Sequence, residues 1–491
     1  MRKPDEEKDL FCFFSSVIPL FWENEQLLPE RPLNVSFVKE AEITILHTND
    51  LHSAVDGQHG TDGKRHGGLA RIATTIRRAR AAGPTLVLDV GDFVFGGGTW
   101  WDIQGAGAVA RLRGKAGCDL ATIGNHDLEH GMTGLWELLE GGYPLVSANL
   151  HVEDHHLQQR IHPAFIVEIA GWHVGITGLT TLSTFDLIPS RILHGITLTE
   201  PRQALIDVVG ALEPMVDTIV VLSHLGFYQS GTGDPDLAMH VAGSKVSVIL
   251  GGHTHAALDP AHVIAGITIC NAGAYGANVG EVKLRRGNQG TVEVQTQLLP
   301  QVETIPDDPL WVEARAQMAQ TFQPLHETIF PLPVLPRPTD SALNRDREWA
   351  LLAKALRESS MVSSSALLMV PLLYVVGQLP GGERATLAEI MTAYPNIEYL
   401  VEAEINGKVL RELIDLQAAL LYYQQARPLR LSDETEMYLE QLDEKSMYGI
   451  ITTELVCEGG LGWGLTRSAI TSSRNLNITC LQVVRDYLAS R

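Results

Sequence analysis

The stretch "ITILHTNDLH", Ile43–His52, decides how the chain is read. Its opening run of Ile, Thr and Leu suits a strand buried on both faces. Such a strand normally ends in turn residues. This one ends in an acid and an imidazole, Asp50 and His52. The pair is either a polar turn or one part of a site that other strand ends complete.

From Ile43 onward the same pattern recurs. The runs "TLVLDV", "LATI", "PLVSANL", "HVGITGL", "TIVVLS", "VSVILGG" and "ITICNAG" alternate with helical segments such as "LARIATTIRRARAAG" and "PRQALIDVVGALEPM". Continuous apolar runs separated by helices predict an α/β domain with buried sheets. "DDPLWVEARAQMAQTFQPLHETI" then reads as a single helix capped by the Asp pair. "FPLPVLPRPTD", with four prolines in eleven residues, reads as a stiff extended connector. A second region from about Thr339 carries helices at "REWALLAKALRESS" and "NGKVLRELIDLQAALLYYQQ" with short strands between them.

Strand after strand in the first region delivers a polar cluster. "LVLDVGDF" carries Asp92, "ATIGNHDLEH" carries Asn125, His126, Asp127 and Glu129, "VVLSHLG" carries His224, and "VILGGHTHA" carries His253 and His255. Ligand sites in α/β sheets form at the carboxyl ends of strands. Any one of these clusters could be an ordinary turn. Their joint occurrence, each after a strand, points to a shared site. Asp, His and Asn together suit Mn²⁺, Zn²⁺, Co²⁺ or Fe²⁺. Seven such ligands exceed one tetrahedral ion and suit two divalent metal ions sharing a carboxylate, ~3.5–4 Å apart.

Composition bounds the partners. The chain has 491 residues, 45% hydrophobic and 19% charged, as expected of a globular protein with two or three domains. A net charge of −21 disfavours a nucleic-acid partner and leaves room for a small anionic substrate beside a local cation. Five scattered cysteines without a CxxC argue against both a disulfide framework and a cysteine zinc site. "LFCFFSSVIPLFW", Leu10–Trp22, has the length of a secretory core and is too short to span a bilayer. Four acids precede it and no A-x-A-like site follows. It reads as an export signal, as an apolar arm packed on the body, or as an added extension. A poor signal peptide tilts the expected compartment towards the cytoplasm.

The order D-x-H, G-D, G-N-H-[DE], H, G-H-T-H resembles the calcineurin-like metallophosphatase superfamily. The fuller strings "ITILHTNDLHS", "GGLARIATTIRRAR", "GNHDLEHG", "YPLVSANL", "ITGLTT", "ILGGHTHA" and "NAGAYGANVGEVKL" are similar to its 5′-nucleotidase and 2′,3′-cyclic-nucleotide phosphodiesterase family, across Glu42–Leu298. The resemblance implies a four-layer α/β/β/α sandwich followed by a smaller α+β C-terminal domain joined through a helix. The expected division is an N-terminal extension over 1–41, a metallophosphatase domain over 42–305, a linker over 306–338 and a divergent C-terminal domain over 339–491. The family also implies an extracytoplasmic compartment.

Roles follow from the resemblance position by position. Asp50, His52 and His255 are expected to hold one metal, Asn125, His224 and His253 the other, and Asp92 to bridge them. His126 is expected to face the substrate phosphate as a catalytic residue rather than bind metal, oriented by Glu129. The family usually has Asp at that position, so Glu129 is a departure that keeps the charge on a longer arm. Asp127 is expected to be structural. In the implied mechanism a hydroxide between the ions attacks phosphorus, and His126 stabilises the transition state.

The C-terminal region matches less well. "PGGERATLAEIMTAYPNIEYLVEAEINGKVLRELID" and "YGIITTELVCEGGLGWG" follow the family's pattern. The arginine-bearing N-G-G-x-R loop is replaced by "MVPLLYVVG", and one aromatic wall is not recognisable around Gln424–Leu431. Trp463 is left as the candidate to stack on a base. The resulting expectation is a metal-dependent phosphoric ester hydrolase acting on small phosphate monoesters, nucleotides among them. Its alternatives are a cyclic-nucleotide phosphodiesterase, a nucleotide pyrophosphohydrolase, or a non-catalytic metal-containing binding protein. No oligomeric state is implied.

Overall fold

The computed structural model describes residues 14–23, 26–29, 42–59, 64–94, 106–287, 291–333, 346–359, 366–368, 379, 383–395, 398–420, 442–460 and 466–491. Within them the apolar runs form two large sheets. One has seven strands in the order Ile161–His162, Leu145–Val146, Leu120–Ala121, Thr85–Asp89, Ile43–Thr48, Asn278–Arg286, Val292–Pro300. The first five pair in parallel and the last two antiparallel. The other has eight strands, with Val246–Gly251, Thr218–His224 and Trp172–Thr180 running parallel at its centre.

Strand periodicity explains the layering. In Thr218–His224, Val220 and Leu222 point into a core shared with Ile43, Ile45, Leu86 and Leu88 of the other sheet. Ile219 and Val221 point the opposite way, onto Leu205, Val208 and Leu212 of the helix Pro201–Leu212. Side chains that alternate between two buried faces need to be apolar at every position, so the strands read as unbroken runs. The helices Leu69–Ala82, Gly107–Ala116 and Gly131–Leu139 cover the outer side of the seven-stranded sheet. The result is an α/β/β/α sandwich of four layers.

Of the apolar stretch Leu10–Trp22, the described part from Phe14 onward belongs to this sandwich, and Leu10–Phe13 lie outside the described residues. Phe14–Glu23 pairs antiparallel with Ala164–Ile169 in the eight-stranded sheet, and Ile18 and Leu20 are wholly buried. This pairing is what the reading as a packed apolar arm implies. The first compact unit therefore extends N-terminal of Glu42 and runs to Met318, without Phe185–Ile192. The expected single helix after Asp307 is two, Pro309–Thr321 and Gln323–Glu327, interrupted at Phe322. Pro324 has no N–H to continue the ladder and disfavours helical backbone at the residue before it. Asp308 does act as a cap, accepting the Trp311 N–H at 3.0 Å.

The second unit contains Phe185–Ile192 and Ala319–Arg491. Its sheet of four described strands has the order Leu367–Leu368, Met447–Thr453, Leu400–Asn406, Ile470–Asn475. The helices Asp346–Glu358 and Cys480–Ala489 share its main core through Leu352, Leu356, Val484 and Leu488. Ile329–Pro331, the start of the proline-rich stretch, is a strand paired with Arg384–Thr386. The stretches Met369–Gly377 and Gln424–Leu431, and Trp463, lie outside the described residues.

Candidate metal centre

The strands Ile43–Thr48, Thr85–Asp89, Thr218–His224 and Val246–Gly251 end at one edge of the sandwich, and the chain turns sharply after each. The turns put Asp50, His52, Asp92, His253 and His255 in the left-handed region, with φ of 51°, 47°, 52°, 71° and 55°. Non-glycine residues rarely occupy that region, and clusters of them mark sites where surrounding structure holds strain for a purpose. The Asp92 turn also needs glycine on either side. A Cβ on Gly91 would lie 2.3 Å from the Gly124 nitrogen, and one on Gly124 would lie 2.2 Å from Asp92 Oδ1.

Two groups of ligand atoms meet there. Asp50, His52 and His255 form one, and Asp92, His224 and His253 form another. His52 Nε2 and His255 Nε2 are 2.8 Å apart, and His255 Nε2 is 3.6 Å from Asp50 Oδ1. Asn125 joins the second group, its Oδ1 2.9 Å from His253 Nδ1. Asp92 Oδ2 lies 3.0 Å from His224 Nε2 and 4.0 Å from His52 Nε2, so one carboxylate oxygen faces both groups. His126 also lies close enough to His52 and Asp92 to complete a third group.

The donor set fits divalent cations. His224 Nδ1 donates to the Val90 carbonyl at 2.7 Å, which leaves the buried Nε2 to face Asp92 Oδ2 at 3.0 Å. A backbone partner on the far nitrogen is how proteins orient an imidazole towards a metal. Electrostatics agree. Burial, together with repulsion from Asp92, raises the Asp50 carboxyl above its usual range. Burial also raises Asp127, and takes Asp234 up to about 8. Burial pushes His253 down to about 4, with His224 adding to the effect. Burial opposes charge on His224, but Asp92 and Asp50 outweigh it and lift its pKa to about 10. A cation between the groups would take the place of that proton and relieve both the Asp50 carboxyl forced towards neutrality and the His253 ring kept uncharged.

His126 stands apart in its bonding. It opens a 3-10 turn, His126–Leu128, that brings Glu129 beneath it. The His126 Nδ1 lies 2.6 Å from Glu129 Oε1, and its backbone N–H donates to Asp92 Oδ1 at 2.8 Å. Burial opposes charge on this ring. Glu129 and Asp92 outweigh it and lift the pKa to about 9. The longer Glu129 arm still reaches the ring.

Asp127 accepts four backbone N–H groups, from Asp92 and Gly124 at 2.8 Å, Phe93 at 3.0 Å and Val94 at 3.1 Å. It ties the two turns carrying Asp92 and Asn125 together. Asp127→Ala should leave these donors unpaired and cost at least about 2 kcal/mol of unfolding free energy, measured by urea denaturation; a stability equal to wild type contradicts this role.

Other supporting residues give weak sequence signals. Asn49 donates to Asp50 Oδ2 at 2.6 Å and to Asn271 Oδ1 at 2.9 Å. The Thr48 hydroxyl donates to Asp89 at 2.5 Å, Arg113 donates to Thr48 at 2.9 Å, and Asp89 accepts the Gly91 N–H at 3.1 Å. This buried node locks the ends of the two strands that lead to Asp50 and Asp92. Asn49 looks like any turn asparagine, and Arg113 lies on a helix remote in sequence.

Residues 43–257 match the calcineurin-like phosphoesterase family, so the first unit carries a calcineurin-like phosphoesterase domain. Its relatives are more particular. The chain is 33% identical over 226 residues to snake venom 5′-nucleotidase of Gloydius brevicauda, a match covering 44% of this chain and 37% of that one. It is 30% identical over 313 residues to 5′-nucleotidase of Bos taurus, covering 55% and 51%. The match thus spans between 37% and 51% of these curated relatives. The fold is that of the 5′-nucleotidase precursor from Thermus thermophilus, with a TM-score of 0.73 at 22% identity, over 92% of this chain and 96% of that one. No helix among the described residues is long and apolar enough to cross a membrane.

Proposed function

We propose that the chain is a dinuclear-metal-dependent phosphoric ester hydrolase acting on small phosphate monoesters, nucleotides among them. The observation that carries this reading is Asp92, whose one carboxylate oxygen faces histidines of both ligand groups. Asp50, His52 and His255 would hold one ion, and Asn125, His224 and His253 the other, with Asp92 between. Two such ions, when bound, supply Lewis-acid charge at the phosphoryl oxygens and an activated water. The protein's own part begins with His126. Glu129 fixes the proton on its Nδ1 side and so presents Nε2 to the substrate. As imidazolium, the ring stabilises charge on a phosphoryl or leaving oxygen and can hand it a proton. Asp127 and the Thr48–Asp89–Arg113 node hold the ligand-bearing turns in place, so little reorganisation accompanies the reaction. Chelation should abolish hydrolysis of an aryl phosphate, and Mn²⁺ or Co²⁺ should restore it. Full activity in the chelated protein would overturn the reading.

The second unit would select the leaving group. The sequence MVPLLYVVG offers no counterpart of the N-G-G-x-R arginine, which would make a bidentate contact to an anionic group. With Trp463 as the one candidate the sequence offers to stack on a base, base recognition would be limited to about 1–3 kcal/mol. AMP, ribose 5-phosphate and an aryl phosphate should then be hydrolysed with similar kcat/KM, and Trp463→Ala should erase any remaining base preference. A preference for AMP of about a thousandfold, roughly three steps of 1.36 kcal/mol, that survives Trp463→Ala would show base recognition by other residues.

A further inference from the structure

Tyr275 sits where the two segments bearing one metal's ligands meet. Its backbone N–H donates to the Asp50 carbonyl at 2.7 Å. Its ring lies 5.5 Å from the His52 ring and 5.5 Å from the His255 ring, centroid to centroid. The residue is held at φ 58°, where a bulky side chain is an outlier. The surroundings enforce that conformation. A Cβ on Gly67 would come within 2.6 Å of the Tyr275 carbonyl, so the two backbones touch. The Gly273 N–H donates to Ala256 O at 2.9 Å, and that of Ala277 to Ala274 O at 3.1 Å. The loop is thus pinned at one end to the residue after His255 and at its centre to Asp50. Strain of this kind persists only where the structure over-determines it, and it clusters at functional sites.

We infer that Tyr275 is a positioning residue whose ring buttresses the imidazoles of His52 and His255, keeping both turned towards one shared cation. The inference rests on the reading that Asp50, His52 and His255 hold an ion, and it adds the residue that orients two of the three. The tyrosine ring fills the space beside both imidazoles. Removing it frees them to rotate out of the geometry in which their Nε2 atoms lie 2.8 Å apart. Backbone strain alone does not account for a tyrosine here, since glycine would adopt the same φ at no steric cost. The ring is what glycine could not supply.

That contrast defines the experiment. Tyr275→Gly removes the ring and suits the backbone, whereas Tyr275→Phe keeps the ring and removes only the hydroxyl. Mn²⁺ binding to the metal-free full chain would be followed by titration calorimetry for wild type and both variants, with thermal unfolding to confirm folding. Wild type should bind two ions. Tyr275→Gly should bind one of them about tenfold or more weaker, the scale on which lost outer support reduces metal affinity, with the other ion unchanged and the fold intact. Tyr275→Phe should match wild type. Equal affinities in Tyr275→Gly and wild type would overturn the inference, as would a loss in Tyr275→Phe as large as in Tyr275→Gly, which would assign the role to the hydroxyl. A wild-type chain that binds no second ion would instead overturn the dinuclear reading beneath it.

Discussion

Asp92→Ala is expected to abolish turnover and release metal, and to be the most damaging single change in the site. Asp92 Oδ2 faces His224 at 3.0 Å and His52 at 4.0 Å, so on the proposed reading its loss would remove a ligand from both ions at once. Its burial would raise its pKa, but His224, His126 and His52 together hold the carboxyl well below the usual range. Without it, His52 and His224 keep only the Asp50 carboxyl, 3.9 Å from each. The fall in kcat/KM should exceed the roughly 10–100-fold that follows loss of outer support alone; about 10³-fold or more is expected. Near-normal turnover in Asp92→Ala would show that the two ligand groups do not share this carboxylate.

His126→Ala should separate chemistry from metal binding. Turnover should fall roughly 10²-fold or more, the scale for a positioned acid or an electrostatic donor. Metal content should stay at the wild-type value. Loss of one metal equivalent would make His126 a ligand, which its proximity to His52 and Asp92 allows geometrically. The pH profile gives a second readout. The charged form of His126 is present below its raised pKa of about 9 and lost as pH rises through it. The rate should therefore decline on the alkaline side, at a midpoint that bound cations move downward. Glu129→Gln removes a partner that raises the pKa and should shift the decline to lower pH. An alkaline limb unmoved by Glu129→Gln argues that another group titrates there.

The convergence of the candidate residues was legible because each cluster interrupts an apolar run. Asp50, Asp92, His224 and His253 follow strands whose every residue is buried or nearly so, and a polar residue at that boundary stands out. The four-layer arrangement was harder to read from periodicity. Unbroken apolar strands show that both faces are covered, but not whether a helix or a second sheet does the covering. That distinction came from resemblance. Phe14–Glu23 was ambiguous for a related reason, since an apolar stretch preceding a polar boundary suits a strand, a leader or an arm. Its partner, Ala164–Ile169, lies far along the chain. The split at Phe322 was missed because the apolar and polar pattern continues across it, while the missing N–H of Pro324 acts only on the backbone. Tyr275 lies within NAGAYGANVGEVKL, a string that carried the resemblance, but nothing in that string marks it for a role: its significance depends on φ and on neighbours brought by folding.

The central claim, two ions held by seven side chains around Asp92, is tested most directly by counting metal. Purified full-length chain, stripped with chelator, reloaded with Mn²⁺ and freed of excess by gel filtration, would be analysed by inductively coupled plasma mass spectrometry. Two manganese ions per chain are expected. One ion or none per chain, in protein that is folded and fully loaded, would contradict the claim.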